Sequence, residues 1–271
     1  MYREYWKLKE MPFENTPNPR FLYFSPQHEE GLSRLCYVVE QRKGAGMLTG
    51  VFGCGKTVLA RALFDTLNKN VYQIAFINNP HLKSVEFLRA IARQLGAENL
   101  PEKLTEMSTD YFLEVINNML LNNAKDGKET LVIVDEAHVI EDAEVFEELR
   151  LLLNFQVEDR FLLTLLLMGQ PELKERVHKN KQLVQRIAIG YHLEALSREE
   201  VSKYIAHRLE VAGGSKDIFA EDAVDLIFVN SGGIPRRINQ ICDMSLVTGF
   251  SKQQEVIHAE IVNEAVDSLG V

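Results

Sequence analysis

Cysteine is scarce in this chain of 271 residues; the three present are Cys36, Cys54 and Cys242. Odd in number and widely scattered, they offer neither a disulfide framework nor a metal-ligand spacing, which suits a reducing cytoplasm. Long apolar runs are also missing. The longest, Phe161 to Gly169, is about half of what a membrane helix needs. The opening Met-Tyr-Arg-Glu-Tyr-Trp lacks the basic-then-apolar pattern of a signal peptide, so no membrane insertion is expected. Positive charge is in deficit: 30 Lys and Arg against 39 Asp and Glu leave a net −9. A nucleic-acid role would need a local basic patch working against that repelling background. No internal repeat or low-complexity segment occurs. The rest is ordinary, 46% hydrophobic and 25% charged, with enough chain to bury a core unaided and to exceed one average domain.

A proline-marked opening (Pro12, Pro17, Pro19) precedes an amphipathic helix over His28 to Lys43. Strands are expected at Met47–Thr49, Val71–Ile77, Leu131–Val134, Phe161–Leu167 and Ile187–Leu193. Helical segments alternate with them at Lys56–Asn68, Ser84–Leu95, Thr109–Ala124 and Asp142–Phe155. Strands alternating with helices predict a parallel α/β sheet with right-handed crossovers. After Leu193 the pattern changes to four amphipathic segments, near Ser197–Val211, Ala220–Val229, Pro235–Phe250 and His258–Leu269. The expected organisation is an α/β domain over 1–194, with a segment 1–27 of its own, and an all-helical domain over 195–271.

Two motifs carry chemistry. Gly50 to Thr57 reads GVFGCGKT, a match to G-x-x-x-x-G-K-[ST] with an apolar strand before it and a helix after it. Glycines let the backbone N–H groups turn inward around phosphates at the positive end of a helix. Gly50, Val51, Phe52, Gly53, Cys54, Gly55, Lys56, Thr57 and Val58 are therefore expected to cradle ATP or ADP. Lys56 would reach the β- and γ-phosphates, and the Thr57 hydroxyl would ligate Mg²⁺. Cys54 reads as a tolerated small residue of this loop. The second motif is LVIVDEAH, Leu131 to His138, whose Asp135 sits where a buried strand runs out toward the ligand crevice. Asp135 would hold the Mg²⁺ water shell and Glu136 would polarise the attacking water. Two carboxylates there also suit a helix N-terminus, but the upstream loop favours the nucleotide role. His138 reads as an ordinary residue of the following helix.

With these motifs stand the opening MPFENTPNPRFLYFSPQHEEGLSRL, the phrase MGQPEL, the segment LVQRIAIGYHLEALSREEVSKYIAHRLEVAG, and SGGIPRRIN. Together they resemble the AAA+ ATPases similar to general secretion pathway protein A, over essentially the whole chain. The resemblance implies a three-layer P-loop NTPase sandwich followed by a small all-α lid. It implies an adenine-side role for Pro12, Phe13 and Tyr23, a phosphate-sensing role for Gln170, and a restraining polar residue at Asn78 or Asn79. Arg186 resembles an arginine finger directed at a neighbouring subunit's nucleotide. Arg236, or the adjacent Arg237, resembles the lid arginine that reaches the γ-phosphate, with Pro235 fixing the helix start.

Related ATPases serve type II secretion and pilus assembly, and others select targets for transposases. The resemblance therefore implies a homo-oligomer, ring or filament, acting on a protein partner. Its alternative is a DNA-associated ATPase that recruits a transposase, for which Lys174, Arg176, His178, Lys179 and Lys181 are the phosphate-binding candidates. Secretion members continue into a membrane helix and a periplasmic domain, and this chain ends at Val271. A stand-alone relative or an excised ATPase domain would both fit, with Met1 and the finished last helix favouring the former.

Overall fold

The computed structural model describes residues 2–16, 18–101, 108–158 and 160–270; Pro17 of the proline-marked opening lies outside them. The chain groups into two compact units. A sheet unit comprises Glu30–Gly50 and Leu59–Leu193, and a helical unit comprises Met1–Glu29, Val51–Val58 and Glu194–Val271. The phosphate-loop residues and the N-terminal segment thus group with the C-terminal helices.

The sheet unit contains β1 (Ala45–Gly50), β2 (Tyr72–Ile77), β3 (Glu129–Val134), β4 (Gln156–Val157), β5 (Arg160–Phe161), β6 (Leu163–Gly169) and β7 (Ile187–Leu193). Five of them form one parallel sheet in the order β2-β3-β6-β1-β7. Strands β6 and β1, both interior to that order, are buried at every residue, as strands covered on both faces must be. Strand β7 alternates half-buried and exposed residues, which fits its place at the edge. Val132 and Val134 face one apolar cluster with Phe87, Ile91, Phe112, Ile116 and Leu120 from the helices Ser84–Gln94 and Thr109–Lys125. Gly46 lets another helix approach β1, because a Cβ there would lie 3.0 Å from Leu166 and 3.3 Å from Val38. Asp142 caps two helices at once: its carboxylate accepts the N–H groups of Glu144 at 3.0 Å and Ser84 at 3.2 Å.

The expected strand Phe161–Leu167 is broken. Arg160 and Phe161 pair backward with Gln156 and Val157 in a two-residue hairpin, and Leu162 donates its N–H to the Phe155 carbonyl at 3.0 Å. Strands this short leave no readable alternation, so sequence pattern merges β5 with β6.

The helical unit is built on Arg198–Val211, Glu221–Ser231, Pro235–Ser251 and Ala259–Leu269. Its core gathers Val201, Ile205, Phe219, Ile227, Ile238, Cys242, Leu246 and Val262, and also Trp6, Phe13 and Phe21 from the chain's start. A short N-terminal helix, Tyr2–Tyr5, is an element that periodicity did not suggest. It is tied to the helix Pro235–Ser251 and the residues after it. Tyr2 donates to Asp243, Trp6 Nε1 donates to the Leu246 carbonyl at 3.0 Å, and Tyr5 donates to the Gln254 carbonyl at 2.9 Å.

Candidate functional site

Chemistry-bearing residues collect in each unit. In the helical unit the loop Val51–Gly55 turns through two left-handed glycines, Gly53 at φ +85 and Gly55 at φ +106, a conformation that side chains resist. Neighbours leave no room for side chains either. A Cβ on Gly53 would lie 2.8 Å from Arg236 Cβ, and one on Gly55 would lie 3.1 Å from His28 Nε2. The loop's carbonyls are held from outside. Gly53 accepts the Arg236 backbone N–H at 3.3 Å, and the Cys54 carbonyl is 3.1 Å from His28 Nε2. A carbonyl only accepts, so His28 carries its proton on Nε2 and takes the Ser25 hydroxyl's hydrogen on Nδ1 at 2.7 Å. Lys56, at the start of the helix Lys56–Thr66, is buried and donates to the Val51 carbonyl at 3.1 Å, which keeps its ammonium at the loop. Thr57 follows within the first helical turn.

Arg236 stands at the second position of the helix Pro235–Ser251, with its guanidinium 4.3 Å from the centre of the Phe52 ring. Arg236, Arg237, Phe52 and Val51 share one open cleft. A second, mostly apolar cleft is lined by Asn18, Leu22, Tyr23, Gly55, Val58 and Pro235, among others. Apolar walls with few polar groups suit a flat nucleobase. Of the three adenine-side candidates, Tyr23 lines this cleft. Phe13 is only 2% exposed, packed edge-to-face on Phe219 in the core, and Pro12 contributes its carbonyl to Arg208 Nε at 2.6 Å. Arg208, invisible to motif reading, binds the whole opening. It donates to the carbonyls of Pro12 and Glu14 and to the Tyr204 hydroxyl, and stacks 5.0 Å from the centre of Phe21.

In the sheet unit, the parallel β1, β3 and β6 run out toward one edge: Thr49 pairs with Gly169, and Val134, the last residue of β3, with Leu167. Gly50, Asp135 and Gln170 lie at or just past these ends, the edge where parallel sheets present ligand-binding residues. Asp135 is 3% exposed, with its N–H donated to the Ile77 carbonyl at 2.8 Å. Its Oδ1 accepts the Glu136 N–H at 2.9 Å, and Glu136 itself is left-handed at φ +52, ψ 30. A left-handed glutamate is strained and persists only where its surroundings impose it. His138 is not on the following helix. It lies on a separate 3₁₀ turn, Ala137–Val139, where its Nε2 is 3.5 Å from Glu136 Oε2 and its ring contacts Gln170. Asn78 and Asn79 are exposed just past β2. Arg186 donates to Asn154 Oδ1 at 3.1 Å and stacks on Phe161. The basic cluster spans the helices Glu172–His178 and Lys181–Val184; Lys174, His178, Lys179 and Lys181 are exposed, while Arg176 is half-buried and donates to the Ile140 carbonyl.

Each unit carries donors of the kind that ATP with Mg²⁺ takes. The loop is a cradle that any Cβ at Gly53 or Gly55 would fill, and Thr57 and Asp135 are hard oxygen donors of the kind Mg²⁺ takes beside phosphate and water. Among the described residues no group of three or more His, Cys, Asp or Glu could hold a metal, and no helix is long and apolar enough to cross a membrane.

Comparison with known proteins agrees with the fold. Residues 39–177 match the AAA domain family. The whole chain is 38% identical over 275 residues to general secretion pathway protein A of Aeromonas hydrophila, and spans about half (49%) of that relative's length. Among solved structures, the ORC2 protein of Aeropyrum pernix in ADPNP–ADP complexes matches with a TM-score of 0.68 at 18% identity, covering 96% of this chain and 71% of that one. The ORC1 protein of the same organism, in complex with DNA, matches with a TM-score of 0.68 at 17% identity and coverages of 96% and 71%.

Burial holds His28 below the ordinary imidazole range, outweighing the upward pull of its Cys54 hydrogen bond. His28 thus takes a proton less readily in the fold than in an unfolded chain, which binds one there below about pH 6.5. The unfolded state then carries more protons, so stability is full above that pH and falls as pH drops through it. Burial lowers His207 in the same direction. Thermal unfolding followed from about pH 7.5 down to about pH 5 should show a falling midpoint, with a shallower fall in His28→Gln. Equal slopes in both proteins would count against this role of His28.

Proposed function

We propose, from the premise that the chain belongs to the AAA domain family of ATPases, that it binds ATP with Mg²⁺ and hydrolyses it to ADP and phosphate. The observation that carries this reading is the left-handed Gly53–Gly55 turn, with Lys56 at its mouth and Arg236 packed on its back. Inward amides and the start of the Lys56–Thr66 helix would hold the phosphates, and the cleft beside Tyr23 and Val58 would take the adenine. Mg²⁺, when bound, supplies charge neutralisation at the phosphates; Thr57 and Asp135 would hold it and its waters. Glu136 would accept the proton of the attacking water, Gln170 would contact the γ-phosphate, and Arg236 would swing from its stack on Phe52 to the same group.

In this reading the chain works as a homo-oligomer, positioning or remodelling a protein partner as a secretion or pilus ATPase would, from the cytoplasmic side. Arg186, held by its hydrogen bond to the Asn154 side-chain oxygen and by the Phe161 ring, is the group offered to a neighbouring subunit's nucleotide. A DNA-associated ATPase that recruits a transposase is the second reading, favoured by the exposed Lys174, Lys179 and Lys181.

Lys56→Ala should lose ATP affinity, whereas Glu136→Gln should bind ATP normally and turn it over about 10²- to 10⁴-fold more slowly. Equilibrium binding of a fluorescent ATP analogue with single-turnover hydrolysis checks both, and equal ATP retention by the two variants would contradict the roles. Mixing Arg186→Ala with Glu136→Gln chains should recover turnover that neither shows alone, since one interface then pairs an intact Arg186 with an intact Glu136. Normal hydrolysis by Arg186→Ala alone removes the sharing. For the second reading, duplex DNA should raise the ATPase rate in a salt-sensitive way; a rate indifferent to DNA at low salt leaves the secretion-type reading.

A further inference from the structure

A cleft of about 580 Å³ lies wholly within the sheet unit, between the segment that follows the LVIVDEAH motif and the helices Glu172–His178 and Lys181–Val184. That volume falls in the usual range of ligand-binding clefts. Ile140, Ala143 and Phe146 give it an apolar wall. Arg176, Lys179 and Lys181 add three cations to the lining, and none of the three forms an ion pair with a described residue. Two carboxylates also line it, but Glu147 is already engaged. Arg150 Nε donates to its Oε1 at 3.0 Å and Asn180 Nδ2 to its Oε2 at 3.0 Å. The Arg150 guanidinium holds that carboxyl below the ordinary carboxylate range. Among the described residues, Glu141 alone of the two has no ion-pair partner. The cleft is thus cationic on a chain whose net charge is −9.

Hydrogen bonds across the cleft fix its walls. Arg176 Nη1 donates to the Ile140 carbonyl, which ties the helix Glu172–His178 to the segment after the LVIVDEAH motif. Asn180 acts in two directions. Its Oδ1 accepts the Leu183 N–H at 3.0 Å and starts the short helix Lys181–Val184, while its Nδ2 holds Glu147 of the helix Ala143–Leu152. A cleft formed before its occupant arrives reduces the ordering cost of binding. Arg176 uses one N–H on Ile140, and the rest of its planar fork suits a carboxylate.

The mixture of groups selects the occupant. A duplex backbone is held by cations and polar donors, and neither an apolar wall nor the Glu141 carboxylate serves it. A polypeptide with carboxylates on both sides of one apolar side chain uses every part. We propose that this cleft docks an acidic segment of a protein partner, with a leucine- or phenylalanine-sized anchor seated against Phe146 and Ile140. The segment's carboxylates meet Lys179, Lys181 and Arg176, and the Gln182 amide pairs with its backbone. This rests on the reading above in which the chain positions a protein partner, and it names the chemistry that recognises that partner. The apolar anchor supplies affinity at the centre, and the lysines at the rim supply steering and specificity.

The test is selection from a displayed library of random dodecapeptides on the full chain, without nucleotide. Recovered sequences should carry acidic residues on both sides of a Leu, Phe or Met. A fluorescent peptide of the consensus sequence should then bind wild type. Lys179→Glu combined with Lys181→Glu should weaken it at least about tenfold, since two attractions become repulsions. Ala143→Trp, at an exposed position, fills the cleft without changing its charge and should weaken binding as much. Raising salt from about 0.05 M to about 0.5 M should weaken the wild-type complex without abolishing it, because salt screens the charges and leaves the anchor's burial intact. No acidic enrichment, unchanged affinity in either variant, or complete loss at high salt overturns the docking site. Duplex DNA separates this failure from that of the partner reading. With no enrichment and a turnover indifferent to DNA, the cleft proposal alone fails. With no enrichment and duplex binding that the charge reversal removes and Ala143→Trp leaves intact, this face belongs to nucleic acid and both fail.

Discussion

Two backbone carbonyls, those of Gly53 and Cys54, set the shape of the phosphate loop, and much of the helical unit is arranged to hold them. One receives the first N–H of the Pro235–Ser251 helix, the other a buried imidazole whose far nitrogen is satisfied by Ser25. Because Gly53 and Gly55 are left-handed, the loop cannot relax into an ordinary turn without these two carbonyls losing their partners. The loop is thus shaped before any phosphate arrives, which reduces the ordering cost of binding. It also makes the loop sensitive to whatever moves the N-terminal segment or the helix carrying Arg236. The segment is fixed in turn by Arg208, a buried cation set among carbonyls, a phenol hydroxyl and aromatic faces.

The sheet unit obeys the same logic with different material. Its β1 and β6 are fully buried, and the chemistry-bearing residues sit at or just past the C-terminal ends of its strands. There the backbone of Glu136 is left-handed without being glycine, a strain of about 1–3 kcal/mol at typical sites. Asp135 takes the N–H that this turn exposes, His138 faces the carboxylate, and Gly169 leaves the space His138 occupies. The phrase MGQPEL thus serves the DEAH turn twice, through a missing side chain and through an amide.

The fold was largely legible because its elements are announced locally. Strand Ile187–Leu193 has the bounds that pattern suggests, and the four C-terminal helices begin and end within about two residues of theirs, which is the ordinary scatter of helix ends. Pro235 and the glycine pair before it mark a helix start that the structure keeps. What pattern could not reveal depends on partners far along the chain. Trp6 is fixed by a carbonyl at Leu246, Pro12 by Arg208, and His138 by Gln170. No periodicity records such pairings. Phe13 shows the same limit: a Pro-Phe phrase reads as surface for a base, yet its ring meets Phe219 in the core while Tyr23, Leu22 and Asn18 edge the cleft. The short hairpin of β4 and β5 escaped because two residues are too few to alternate.

For an acidic chain to take up a nucleotide polyanion, as proposed, the attraction must act at short range. The net charge of −9 acts over distances that physiological salt screens beyond about 8 Å. Inside that distance the loop offers amide dipoles, a helix start, Lys56 and Arg236, none of which depends on the sign of the whole surface. A duplex is different: its charges extend well past a Debye length, so binding it would set four exposed cationic and imidazole side chains near 174–181 against the repulsion of the remaining surface. The same charge balance that leaves a triphosphate site unimpaired therefore makes a nucleic-acid role costly unless several copies of the chain align their basic clusters, and this ties the DNA reading to assembly while the nucleotide reading stands without it.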